Sequence, residues 1–244
     1  MPILTDSQKL EKKLMSRLNK AINDYSLIDD GDKILIGLSG GKDSLCLLDL
    51  LSRRAAVYRP KFSMEAIHIR MSNIKYETDE SYLCDFAESR GVKLHVVTTE
   101  FNPDTDKRKS PCFLCSWNRR KQLFTAAQEL GCNKIALGHH MDDIIHTAMM
   151  NMFFQGSFST MPVYLRMRKM PIVIIRPLAL ENEADLKKYA ADNRYMKQLK
   201  LCPYETDSHR ADMAEMFAGI EKMNDEARYS VWNALSREGK LVEK

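Results

Sequence analysis

The sequence predicts an α/β fold: a doubly wound parallel five-stranded sheet with flanking N- and C-terminal helices. Three observations predict it. Five short apolar runs, 33–38, 64–69, 93–99, 134–139 and 172–178, alternate with segments of helical periodicity. Each run reads as apolar on both faces, the mark of a parallel strand covered on both sides. The first run ends in a polar, Gly-rich knot, Ser39-Gly40-Gly41-Lys42-Asp43-Ser44, that opens a helix. Ligands on such sheets bind at the carboxyl ends of the strands, where this knot falls.

The elements follow in order. Residues 6–27 carry Leu10, Leu14, Leu18 and Ile22 at helical spacing, with Asp6 as the expected cap. Asp30-Gly31-Asp32 is a turn before the first strand. Helices are expected at 43–52, at 78–89 (closed by Gly91), at 116–130 (closed by Gly131), at 142–153 and at 182–193 (capped by Asn182). Residues 155–171, with Gly156, Pro162 and Pro171, read as an irregular linker. Residues 200–208 read as a loop, and the remainder as helical. The chain of 244 residues divides into a helical extension at 1–28, an α/β unit at 29–198 and a C-terminal part at 199–244. The Met-rich run 149–154 is either core or interface.

Composition narrows the partners. The N-terminal stretch lacks the basic-then-apolar order of a secretory leader. No apolar run approaches the roughly 18 residues of a membrane span, so a cytoplasmic protein without a membrane partner is expected. In a reducing compartment the six cysteines are read as reduced, metal-bound or catalytic. Net charge is +4, clustered at 107–109, 119–121, 166–169 and 194–200. Such clusters are either solvated faces or a track for a polyanion.

The knot is built for phosphate. Gly40 and Gly41 let the backbone turn its N–H groups toward an anion, the helix N-terminus adds its dipole, and Lys42 adds charge. Ser39 and Ser44 add hydroxyls. It is not a Walker A loop: Ile36 stands where the first Gly is needed, and Asp43 where Ser or Thr must follow the Lys. The fourth strand ends in Gly138-His139-His140-Met141-Asp142-Asp143. Here Gly138 gives a nucleotide room to approach. Asp142 and Asp143 either hold Mg²⁺ on phosphates or cap the next helix. The roles of His139 and His140 stay open.

Cys112 and Cys115 form a Cys-x-x-Cys pair just before a helix, and Cys202 lies in a distant loop. The pair alone is half a zinc site, a redox pair or part of an iron–sulfur site. Zinc has Cys202 and His209 to recruit. Cys46, Cys84 and Cys132 read as structural.

Ser-Gly-Gly-x-Asp-Ser after a first strand, with Gly-His-x-x-Asp-Asp after the fourth, resembles the PP-loop, or N-type ATP pyrophosphatase, family. The resemblance implies cleavage of ATP between its α and β phosphates. Ser39, Gly40, Gly41, Lys42, Asp43 and Ser44 would hold the pyrophosphate. Gly138, Asp142 and Asp143 would complete the nucleotide and Mg²⁺ site, with Lys42, Asp43 and Asp142 catalytic. Cys112, Cys115, Ser116, Arg119, Arg120 and Cys202, with the runs "KIALGHHMDDI", "NMF" and "IRPLA", resemble the tRNA 2-thiocytidine synthetases within that family over about residues 30–210. That implies a 4Fe-4S cluster on Cys112, Cys115 and Cys202 with one open iron. It also implies tRNA as substrate, modified at cytidine 32, a sulfur donor of the cysteine desulfurase type, an electron source and a homodimer. The sequence departs from the pattern at Pro203-Tyr204-Glu205, where a small Gly-containing segment is usual. Alternative readings are thiolation to 2-thiouridine, a cluster-free ligase resembling lysidine synthetase, and a non-catalytic RNA-binding module with a metal staple.

Overall fold

The structure is a computed structural model describing residues 4–76, 80–102, 110–196, 200–201 and 209–244. Along the chain run α1 (Asp6–Asp24), β1 (Lys33–Gly37), α2 (Lys42–Val57), β2 (Ser63–Met71), β3 (Lys75–Tyr76), α3 (Glu80–Glu88), β4 (Lys93–Thr99), α4 (Pro111–Glu129) and β5 (Lys134–Ala136). They are followed by α5 (Met141–Gln155), β6 (Tyr164–Arg166), β7 (Val173–Ile175), α6 (Glu183–Asp192), β8 (Lys200–Leu201), α7 (His209–Met223), α8 (Ala227–Arg237) and β9 (Val242–Glu243).

The five expected strands form and are mutually parallel, in the order β4-β2-β1-β5-β7. The chain winds outward from β1 through β2 to β4, then returns to the other side of β1 as β5. Between β1 and β5, where Ile36 lies opposite Ala136, the winding reverses. That reversal opens a crevice at the carboxyl ends of the two strands. β6 and β9 extend the sheet beyond β7, with β6 antiparallel to β7. So the sheet has seven strands where five were expected. β6 falls in the stretch read as linker, and β9 in the part read as helical. Both are short and broken by charged residues, Arg166 in β6 and Glu243 in β9, so neither stands in a continuous apolar run as β5 and β7 do.

Alternation along β1 shows why both faces are apolar. Ile34 and Ile36 join the larger core with α1, α2, α3, α5, α6, α7 and α8, whereas Leu35 meets Phe124 and Ala127 of α4 and Ile135 and Ile174 of the neighbouring strands. α1 buries Leu10, Leu14, Leu18 and Ile22, as its spacing predicts. In the Met-rich run Met149 is core, while Phe153 and Phe154 stand exposed.

Two helix starts differ from expectation. Thr5, not Asp6, caps α1: its hydroxyl accepts the Gln8 N–H at 3.3 Å, and Gln8 Oε1 accepts the Thr5 N–H at 2.9 Å. α4 begins at Pro111 rather than Ser116, because Ser110 accepts the Phe113 N–H at 3.2 Å and Pro111 suits the first turn. Cys112 and Cys115 are therefore helical, one turn apart. β3 and β8 pair antiparallel, Lys75 opposite Leu201. Cys202 and the basic run 107–109 lie outside the described residues.

Candidate active site

Two loops meet at the crevice. After β1, Gly40 takes a left-handed φ of 80°, which a side chain would resist. Ser44 staples the loop: its hydroxyl donates to the Gly41 carbonyl at 2.9 Å and accepts from the Ser39 N–H and the Ser39 hydroxyl, each at 3.1 Å. After β5, Gly138 packs directly against this loop. A Cβ there would sit 3.0 Å from the Asp43 carbonyl and from Ser44 N. Gly138 thus makes a close loop-to-loop contact.

Charged groups converge on the seam. Lys42 Nζ lies 3.1 Å from Asp43 Oδ2 and 3.0 Å from Glu183 Oε1. Burial lowers the Lys42 ammonium, but the two carboxylates outweigh it and raise it above its ordinary value. His140 is buried, with Nδ1 3.5 Å from Asp142, and with Nε2 3.5 Å from Asp143 and 3.9 Å from Asp43. Burial works against its charged form, yet the surrounding carboxylates win and the imidazole is raised. Three acids thus favour the charged form of His140.

The acids are not equivalent. Asp142 accepts the Glu183 N–H at 2.7 Å and pairs with Arg228 of α8. Burial alone would raise its carboxyl, but His140, Arg228 and the Glu183 N–H hold it well below the usual carboxylate range. Asp143 accepts the His140 N–H at 3.2 Å and lies 3.7 Å from Arg210. Asp43 Oδ1 is buried and has no hydrogen-bond partner among the described residues. An orphaned carboxylate oxygen beside a second acid suits Mg²⁺, which keeps phosphate oxygens and waters for most of its ligands. No group of three His, Cys, Asp or Glu among the described residues forms a metal cage from protein alone.

From Ser39 a pocket of about 600 Å³ extends between the sheet ends and α4. Its walls include Ile67, Ile69, Leu123, Leu137 and Ile174, and its polar groups include Ser116, Arg119, Arg120, His139 and Arg176. Apolar walls with a few convergent polar groups suit a nucleoside. Arg176 Nε donates to His139 Nδ1 at 3.3 Å, so the His139 proton sits on Nε2. Burial and the Arg176 charge bring His139 down to about 4, so the ring is neutral.

The cysteines separate into two kinds. Cys112 is exposed and Cys115 half-buried against the cluster of Met71, Ile74 and Phe101. Cys46 and Cys132 are buried, and burial pushes their thiols up, Cys46 to about 12. Those two stay protonated in the core. His209 stacks on Phe154 at 4.8 Å and lies 3.2 Å from Asp212.

The PP-loop domain family matches residues 10–197. The chain is 35% identical over 234 residues to the tRNA-cytidine(32) 2-sulfurtransferase of Saccharophagus degradans, covering 94% of this chain and 75% of that one. It is 37% identical over 235 residues to the enzyme of that name from Neisseria meningitidis, covering 94% and 73%. This chain belongs to the PP-loop family, among the tRNA-cytidine(32) 2-sulfurtransferases. Both loops lie at the reversal between β1 and β5. Among solved structures, a U34-tRNA thiolase from Methanococcus maripaludis, determined with its 4Fe-4S cluster, shares the fold. It matches with a TM-score of 0.79 at 24% identity over 97% of this chain and 81% of that one.

Within this PP-loop chain the structure gathers Ser39, Gly40, Gly41, Lys42, Asp43, Ser44, Gly138, Asp142 and Asp143 at one seam. Arg119 and Arg120, read as either surface charge or site residues, line the pocket. Glu183, Arg210 and Arg228 were not foreseen. Each meets its partner across a long stretch of sequence, 86 residues for Arg228 and Asp142, and no local pattern announces such a pair. No helix among the described residues is long and apolar enough to cross a membrane.

Proposed function

We propose that this chain is an ATP-dependent tRNA sulfurtransferase that converts cytidine 32 to 2-thiocytidine. The observation that carries the reading is the double duty of α4: its first five residues include Cys112 and Cys115, and the turns that follow line the pocket that opens on the Ser39–Ser44 loop. The cytidine C2 oxygen attacks the α-phosphorus of ATP and pyrophosphate leaves. Sulfur then bonds to C2, the C2–O bond breaks, and AMP carries the oxygen away.

The chain's own groups fit these steps. N–H groups of the Ser39–Ser44 loop, the α2 N-terminus and Lys42 receive the β and γ phosphates. Asp43, with Asp143 beside it, would hold Mg²⁺, which neutralises phosphate charge when bound. Asp142, bound by Arg228 and Glu183, fixes His140 and the start of α6. The apolar walls keep water from the adenylate. Cys112, Cys115 and Cys202 would hold a 4Fe-4S cluster. Two facts support the reading: Cys115 packs against the cluster of Met71, Ile74 and Phe101, and Lys75, the residue after Ile74, pairs with Leu201 in the β3–β8 ladder. When bound, such a cluster supplies a soft site with one iron open to sulfur. In this reading residues 29–198 form the ATP-binding unit, 1–28 its helical buttress and 199–244 the part carrying the third cysteine. A sulfur donor of the cysteine desulfurase type and an electron source complete the cycle. The setting is cytoplasmic and the assembly a homodimer.

Mass spectrometry of tRNA nucleosides tests the proposal in cells with the gene deleted and then restored. Loss and return of 2-thiocytidine is the expected result. Loss of a different thionucleoside moves the target base, and no change in any thionucleoside refutes the reading. A purified Asp43→Ala chain is expected to release no AMP; ordinary release would remove Asp43 from its assigned role.

A further inference from the structure

α4 carries another stripe beside the one that lines the pocket. Phe113, Trp117 and Lys121 recur at four-residue spacing, so they are neighbours along one side of the helix. Trp117 is 52% exposed and Phe113 49%. Lys121 Nζ lies 5.7 Å from the centre of the Trp117 ring. Ser116 and Arg120, which line the pocket, flank this stripe at three- and four-residue spacings.

A large ring left half in water costs solubility, and such rings mark interaction surfaces. Its surroundings select the occupant. Arg119, Arg120 and Lys121 follow it one residue later, after Asn118, so the partner is a polyanion. Ser116 and Arg120 of the pocket lining are neighbours of the stripe on the same helix, so a partner on the stripe is positioned to continue into the pocket. An indole beside a lysine is the pairing that unpaired nucleic acid uses: the ring takes a base by stacking, and the cation takes the neighbouring phosphate.

We propose that Trp117, with Lys121 beside it, is a stacking platform for the unpaired base next to the target nucleotide of a tRNA loop. The inference rests on the thiolase reading above and names how that site takes its RNA. A cytidine must leave the loop stack to enter the pocket, and the neighbouring base loses its stacking partner as it does. The indole replaces that partner.

The chain has two tryptophans, and Trp232 is 7% exposed, so Trp117 dominates any fluorescence change on binding. The experiment titrates the full chain with an anticodon stem-loop RNA, intact or abasic at a nucleotide flanking the target. Intact RNA is expected to quench the emission. Trp117→Ala is expected to weaken binding roughly 5- to 150-fold, while Trp117→Phe keeps affinity within a few-fold. The abasic RNA should bind the unaltered chain more weakly but the Trp117→Ala chain no more weakly than intact RNA does. Lys121→Ala should lower the salt dependence of binding, which Trp117→Ala should leave unchanged. Thermal melts of each variant verify folding. If RNA binds with unchanged emission, or with equal affinity to the Trp117→Ala chain, the platform is refuted and the thiolase reading stands. If the unaltered chain binds no tRNA, both fall.

Discussion

Gly138 and Asp43 are in backbone contact: a Cβ built on Gly138 lies 3.0 Å from the carbonyl carbon and oxygen of Asp43. Neither neighbour is the end of a flexible side chain, so a larger residue must move one loop. Gly138→Ala is therefore expected to cost about 1–3 kcal/mol of stability. ATP-dependent AMP release should fall at least tenfold, because the shift acts on the residue that carries the orphaned oxygen. Calorimetry and an AMP assay check this, and unchanged values for both would contradict the contact.

Arg228→Met removes a cation from a carboxylate held low. The sign follows from that direction. A depressed carboxyl adds stability above its ordinary value, near pH 4, and loses it as pH falls further. The variant is expected to be about 1–3 kcal/mol less stable at pH 7. The gap should close as the solution is acidified below pH 4. Urea melts across that range measure it, and a gap independent of pH would deny the pairing its electrostatic role.

Glu181 gives the opposite slope. Its side chain is fully buried, both carboxylate oxygens lack a hydrogen-bond partner among the described residues, and Arg17 stands 3.6 Å away. Burial pushes this carboxyl up to about 8. The folded chain then binds a proton that the unfolded chain has already released, so stability falls as pH rises from about 5 to about 8. Glu181→Gln should flatten that fall, seen as melting temperatures that vary less with pH than those of the parent.

Cys112→Ala, Cys115→Ala and Cys202→Ala are each expected to lose iron and thiolation while ATP binding persists. Cys46→Ala should retain its iron, because that thiol lies in the core. Iron analysis with nucleoside analysis decides the matter. Full thiolation by the Cys202→Ala chain would sink the three-cysteine site.

The sequence revealed what repeats locally. Ile34, Leu35 and Ile36 are apolar without interruption, and the strand they announce is there. The phosphate loop was legible because its glycines, lysine and hydroxyls are contiguous. The start of α4 was signalled by Ser110-Pro111, but the Cys-x-x-Cys pair drew the reading toward a loop. Tyr164–Arg166 was hidden because, unlike the equally short β5 and β7, it lies in no continuous apolar run: Arg166, Arg168 and Lys169 interrupt it between Pro162 and Pro171. The partition of the acids was also hidden. Asp43, Asp142 and Asp143 look alike in sequence, and only the fold delivers Arg228 to one and leaves another with an orphaned oxygen.

The spacing between sulfur chemistry and nucleotide is set by helical pitch. Cys112, Cys115, Arg119 and Arg120 ride on one continuous helix, so they move as one rigid body and their separations are counted in residues, about 1.5 Å for each. The helix works as a gauge. A single residue inserted between Cys115 and Arg119 would turn the arginines by about 100° away from the pocket with every functional side chain still present. What this chain must preserve along α4 is thus a length and a phase as much as a set of residues.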